Sequence, residues 1–93
     1  MGTKTKIKDI DPKMRNIEVI ARVTKKEFFP VTGKKLATLE DDTGLITLNL
    51  MGPQADHVTV GDSVKVKEAY VKMQGKSMEL NTWRSIEVQE NDA

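Results

Sequence analysis

Apolar and polar residues alternate with a period of two along most of the chain. Ile17, Val19, Ala21 and Val23 interleave with Glu18, Ile20, Arg22 and Thr24, which predicts a strand with one buried face. Ile46, Leu48 and Leu50 interleave with Leu45, Thr47, Asn49 and Met51 in the same way. Val64 and Val66 alternate with Ser63, Lys65 and Lys67, and Met78 and Leu80 alternate with Ser77, Glu79 and Asn81. A shorter strand is expected over Leu36 to Glu40, and Ile86 and Val88 are expected to extend the last strand after a bend. No apolar stripe of helical period runs long enough to build a bundle.

Turn chemistry separates these five strands. Asp41-Asp42-Thr43-Gly44 offers carboxylates and a glycine able to take φ > 0, so the second and third strands should form a hairpin. Gly33 lies in a longer loop opened by Pro30, between the first and second strands, and Gly61-Asp62 turns into the fourth. Gly75 belongs to the expected loop Val71-Lys72-Met73-Gln74-Gly75-Lys76. Gly52-Pro53 ends the third strand and suits the first turn of a short helix reaching about His57. Asp11 is placed to N-cap one helical turn beginning at Pro12. The plan is that of an all-β, five-stranded Greek-key OB-fold barrel with a short helix between strands three and four and a helical turn at the N-terminus. Closure would remove the sheet edges that so small an all-β chain could hardly protect.

The chain has 93 residues and fits one domain over 1–93, with an ordered core expected at about 6–89 and frayed ends at 1–5 and 90–93. Leu, Ile, Val and Phe supply 23 residues, enough for a small core. With no cysteine there is neither a disulfide staple nor a thiolate metal site. Apolar runs of two or three residues exclude a membrane span or a secretory h-region, so an intracellular domain is expected.

Enzymatic readings find little to work with. His57 is the single histidine and is read as a surface residue. Glu40, Asp41 and Asp42 lack the spacing of a calcium loop, and a turn is their ordinary use. Neither a GxxxxGK[ST] phosphate loop nor a GxSxG elbow occurs. A non-catalytic protein without cofactor or metal is expected.

The net charge of +1 conceals an asymmetry. Residues 1–35 hold ten Lys/Arg against four acids, residues 36–63 hold five acids and no base, and residues 64–93 balance. A basic segment of this kind is either a solvated arm or a local attraction for a polyanion. Outward positions Ile20, Arg22 and Thr24 on the first strand, with Leu45, Thr47, Asn49 and Met51 on the third, carry no acid. Lys25, Lys26, Lys34, Lys35, Lys72 and Lys76 are expected in flanking loops. Cations along a backbone path beside flat or polarizable groups are what a single-stranded nucleic acid needs, although every sheet has an outer face and Thr and Asn commonly occupy it.

Four aromatics are available. Strand alternation puts Phe28 outward and Phe29 inward unless a bulge reverses them, leaving Phe28 either a lid on the first loop or a core residue. Tyr70 sits where the fourth strand enters a basic loop and suits base stacking. Trp83, at the far end of the fifth strand, is assigned to packing.

Ile10-Asp11-Pro12-Lys13-Met14-Arg15-Asn16-Ile17-Glu18-Val19, followed by Ala21-Arg22-Val23, resembles the opening of archaeal-type single-stranded-DNA-binding proteins and of replication protein A OB domains. Glu40-Asp41-Asp42-Thr43-Gly44 with Ile46-Thr47-Leu48-Asn49-Leu50-Met51-Gly52 is similar to that family's acidic-Thr-Gly turn and following strand. Val60-Gly61-Asp62-Ser63-Val64-Lys65-Val66, Glu68-Ala69-Tyr70 and Glu79-Leu80-Asn81 follow in family order, so the likeness spans about residues 7–88. Family aromatics fall at Met51, Tyr70 and either Met73 or Gln74, so one ring of three is kept, and the family's strand-one Arg is matched by Arg22. A thioether can pack on a base face but lacks the aromatic quadrupole. The Gly- and acid-rich tail by which many members recruit proteins is not found in these 93 residues.

The resemblance implies largely sequence-independent single-stranded-DNA binding in replication, recombination or repair, at a cytoplasmic, nucleoid-associated location. Arg22 and the loop lysines would neutralise phosphates. Tyr70, Met51 and Phe28 would support bases, while Thr47 and Asn49, with Thr24 beside them, would offer hydrogen bonds. RNA is an alternative ligand, and a protein-interaction subunit contacting other replication or repair proteins is an alternative function.

Overall fold

The inward positions of three alternating runs are buried: Ile17, Val19, Ala21 and Val23 on one strand, Ile46, Leu48 and Leu50 on another, Val64 and Val66 on a third. In the fourth run Leu80 is buried and Met78 partly so. These faces meet in a computed structural model that describes residues 3–89. Seven strands are present there: β1 (Thr3–Lys4), β2 (Ile17–Phe29), β3 (Lys34–Asp41), β4 (Gly44–Leu50), β5 (Ser63–Gln74), β6 (Ser77–Asn81) and β7 (Glu87–Gln89).

The sheet runs β1-β2-β3-β4-β6-β5-β7, and a further β2–β5 pairing closes the central five strands into a barrel. Around the barrel the pairings are antiparallel except β4–β6, which is parallel. This is the OB-fold. Its core is a single cluster of aliphatic side chains with Leu39, Leu48, Leu80 and Val58 at its centre, and the 3₁₀ segment Gly52–Asp56 contributes Ala55 to it.

The alternation located the strands but understated three of them. β2 continues to Phe29, β3 begins at Lys34 and β5 continues to Gln74. Lys25, Lys26, Lys34 and Lys35 therefore lie in strand rather than loops, and Val71 to Gln74, Lys72 among them, are strand as well. The expected loop after Tyr70 shrinks to the two-residue turn Gly75-Lys76, with Gly75 at φ 63 and Gln74 facing Ser77. Val88 does not extend β6. It belongs to β7, which turns back to pair with β5, while Ile86 enters the core.

The N-terminal segment differs too. The helical turn lies at Ile7–Asp9, and Asp11 caps only a tight turn, accepting from the Lys13 N–H at 2.8 Å. Thr3 and Lys4, expected to fray, pair in parallel with Ile17 and Glu18. The fraying expected at residues 1, 2 and 90–93 concerns positions outside the described residues.

The β3–β4 hairpin forms where expected, but Gly44 is not among the positive-φ positions. The Asp41 carboxylate organises the turn instead. It accepts from the Thr43 N–H at 2.7 Å, the Gly44 N–H at 3.1 Å and the Thr43 hydroxyl, and its second oxygen takes the Ile7 N–H at 2.9 Å. One side chain thus ends the hairpin and pins the N-terminal segment to it. Asp42 pairs with Lys6 at 2.8 Å on the exposed side.

Burial pushes the Asp41 carboxyl upward, but hydrogen bonds from the Thr43 hydroxyl and the Ile7, Thr43 and Gly44 amides outweigh it and hold the group below the usual carboxylate range. A carboxyl lowered in the folded state stabilises above its unfolded pKa, and that contribution disappears as the pH falls through the folded value. Asp41→Asn is therefore expected to cost about 1 kcal/mol near neutrality, with the deficit shrinking at about pH 2. Urea denaturation at both pH values measures it, and an equal deficit at both would contradict the assignment.

Candidate nucleic-acid interface

In β5, Val64 and Val66 point inward, and uninterrupted alternation would send Glu68 and Tyr70 inward after them. It is interrupted. Between Ile17↔Ala69 and Val19↔Val66, β5 spends one residue more than β2, and Glu68 takes φ 50. The bulge returns Ala69 to the core and turns Tyr70 outward. A non-glycine residue in this conformation costs about 1–2 kcal/mol. Glu68 remains exposed and pairs with Arg84 at 2.7 Å.

A second bulge acts on β2. Val23 opposes Leu39 and Lys25 opposes Thr38, leaving Thr24 as the extra residue. Beyond it the parity reverses. Phe29 pairs with Lys34 on the outer face, whereas Phe28 pairs with Lys35 on the opposite side of the ribbon, where the Lys35 ammonium lies 5.8 Å from its ring centroid. Phe28 is thus a lid residue rather than a core one, being 58% exposed, but it borders Ala55 and Asp56 instead of the outer face.

Strand registers then order the outer face. One row reads Leu36, Asn49, Asn81, Tyr70 and the next reads Thr38, Thr47, Glu79, Lys72. The row of amides is joined by the Asn49 Nδ2–H donating to Asn81 Oδ1 at 2.9 Å. The face is not free of acids: Glu27, opposite Leu36, and Glu40, opposite Leu45, share its parity, and Glu79 enters from β6 beside Thr47. The Glu79 side chain is only 5% exposed and its carboxylate is held by Lys34 at 2.9 Å. Lys34 is therefore committed to neutralising a buried charge.

Trp83, assigned to packing from the sequence, is 79% exposed. Its ring stacks obliquely on that of Tyr70, with centroids 6.5 Å apart and planes inclined by 29°. The bend that presents it is braced from below by Gln54, whose amide donates to the Thr82 carbonyl at 2.8 Å and the Arg84 carbonyl at 2.9 Å. The Gln54 Oε1 accepts from the Met51 N–H at 2.8 Å. Gln54 is buried inside a 3₁₀ segment, where neither period nor motif marks it.

The other expected residues divide clearly. Thr47, Asn49, Tyr70, Lys72 and Gln74 share the face, and Met51 lies at its margin, lining a groove with Trp83. Met73 takes the opposite parity, paired with Met78, and Lys76 occupies the hairpin turn. Lys26 donates to the Ala55 and Val58 carbonyls at 2.9 and 2.7 Å, so it ties β2 to the 3₁₀ segment. Lys25 pairs with Glu27 at 3.6 Å, and the Thr24 hydroxyl donates to the Thr38 carbonyl at 3.4 Å. Arg22 stands at the far corner, in register with Glu40. His57 is exposed, and among the described residues no three His, Asp or Glu side chains converge as a metal site. No helix among those residues is long and apolar enough to cross a membrane.

No protein-family model matches the chain, and no curated protein matches it. Solved structures do. The OB domain of Ta0387 from Thermoplasma acidophilum superposes with a TM-score of 0.70 at 23% identity, over 97% of this chain and 88% of that one. The OB domain of MM0293 from Methanosarcina mazei gives 0.74 at 16% identity, over 100% and 87%. At such identities the likeness establishes the OB-fold.

Gln54→Leu would leave two carbonyls and one amide at the bend without their partner. We expect a loss of about 2–3 kcal/mol and a fall in Trp83 fluorescence anisotropy as the bend loosens. Wild-type stability and anisotropy in that variant would show that the bend holds itself.

Proposed function

We propose that the outer face binds single-stranded DNA with little sequence preference and without catalysis, in replication, recombination or repair. The observation that carries this reading is the Tyr70–Trp83 pair, the tryptophan exposed and the tyrosine half-buried beside it, at the end of the Asn49–Asn81 row, with Lys72 in the adjoining row. Aromatic planes accept any base, because every base has a π-face. Asn49 and Thr47 offer groups that donate or accept as the base requires. Lys72 makes no ion pair among the described residues, which leaves its charge for a phosphate. Glu79 does not repel the strand, being buried and neutralised by Lys34.

Phe29 extends this face along the β2–β3 ribbon, adding a third ring. Sequence-independent binding follows from the composition of the surface, since stacking and phosphate contact carry no base identity. Nothing on the face is arranged to read a 2′-hydroxyl, so DNA and RNA are separated by competition between oligo-dT and oligo-U of equal length. The net charge of +1 favours the second reading, a protein-interaction OB domain, because little long-range attraction for a polyanion remains.

Fluorescence titration at low salt tests the assignment. Tyr70→Ala is expected to weaken oligo-dT binding about tenfold or more, and Lys72→Ala to flatten the slope of log affinity against log salt by about 0.7. Unchanged affinity in Tyr70→Ala would remove the stacking assignment. A flat wild-type titration, confirmed by gel shift, would favour the protein-interaction reading.

A further inference from the structure

Beside the Tyr70–Trp83 pair lies a groove of about 360 Å³, between the Gly52–Asp56 segment and the bend at residues 82–86. Pro53 and Ile86 give it apolar surface, and the Trp83 ring forms one wall. His57 and Arg84 are the ionisable side chains that line it, and neither is acidic. The Ser85 hydroxyl and the His57 ring have no side-chain hydrogen bond among the described residues, so both can meet polar atoms of a guest. Gln54 holds both walls at fixed separation by bonding the Met51 amide on one side and the Thr82 and Arg84 carbonyls on the other.

This groove is continuous with the proposed strand face. Met51 belongs to the outward set of the β4 region and also lines the groove, while Trp83 is shared through its ring contact with Tyr70. We infer that the groove is a nucleobase pocket, which receives one base turned inward from the strand lying across the face. The inference rests on that reading of the face and adds a separate subsite to it. An aromatic base suits an apolar slot with a tryptophan wall, and its polar edge meets Ser85 and His57 at the rim, while Arg84 lines the groove with its guanidinium paired to Glu68 at 2.7 Å. A pocketed base also gives the complex a fixed register, which stacking on an open platform does not.

The test uses the shortest oligo-dT that saturates the wild-type protein and the pocket-filling variant Ser85→Phe, whose position is exposed. In wild type, replacing one particular nucleotide by an abasic residue is expected to cost about tenfold in affinity, the usual worth of one stacked base. Ser85→Phe should lose a similar factor on the intact oligomer and lose nothing further on the abasic one. Independently of any variant, 2-aminopurine walked along the oligomer should show quenching by Trp83 concentrated at the same position. Full affinity of Ser85→Phe for the intact oligomer, or no position-specific quenching, overturns the pocket while leaving the face intact. If wild type fails to bind oligo-dT at all, both the pocket and the face are wrong.

Discussion

The candidate surface depends on one backbone irregularity, the left-handed Glu68 in β5. Without it, the alternation set by Val64 and Val66 would bury Tyr70 and expose Ala69, which is fully buried. The bulge reverses the parity midway along the strand, so the first half of β5 feeds the core through Val64 and Val66, and the second half builds the face through Tyr70 and Lys72. Glu68 itself is turned to solvent, where its ion pair with Arg84 links the bulge to the bend carrying Trp83. Tyr70, its partner ring and the support for that ring are therefore mechanically one unit, completed from below by Gln54.

The same logic explains where the lysines went. The N-terminal third is basic, but several of these charges serve the fold. Lys26 closes two carbonyls of the 3₁₀ region, Lys34 neutralises the buried Glu79, and Lys6 holds Asp42. Removing a partner from a buried pair costs far more than removing an exposed charge, so Lys34 is a support of the face before it is a contact. The surface that results is weakly charged, with the half-buried Asn49 amide over a buried Asn81 and rings at one end. On the proposed reading, such a surface would bind through planar contact more than through long-range attraction.

The barrel was legible because its signal is periodic. Three alternating runs identified the faces of β2, β4 and β5, and Asp41-Asp42-Thr43-Gly44 located a hairpin, although Asp41 rather than the glycine shapes it. What could not be read was parity beyond an irregularity. Thr24 and Glu68 carry no mark as bulge residues, since neither is glycine, yet Thr24 moved Phe28 off the outer face and Glu68 placed Tyr70 on it. Trp83 was misassigned for a related reason. A large apolar side chain after a strand is ordinarily buried, and its exposure follows from hydrogen bonds made by Gln54 some thirty residues away in sequence. Long-range side-chain bonds of this kind leave no local pattern.

The central claim is that the outer face, rather than any other side of the barrel, meets unpaired bases. A ¹⁵N-resolved NMR titration with oligo-dT at low salt tests it residue by residue. The account predicts shifts at Asn49, Tyr70, Lys72, Asn81 and the Trp83 indole, with the β1 side near Lys4 and Ile20 unmoved. Shifts confined to that opposite side, or none at saturating oligonucleotide, would contradict it.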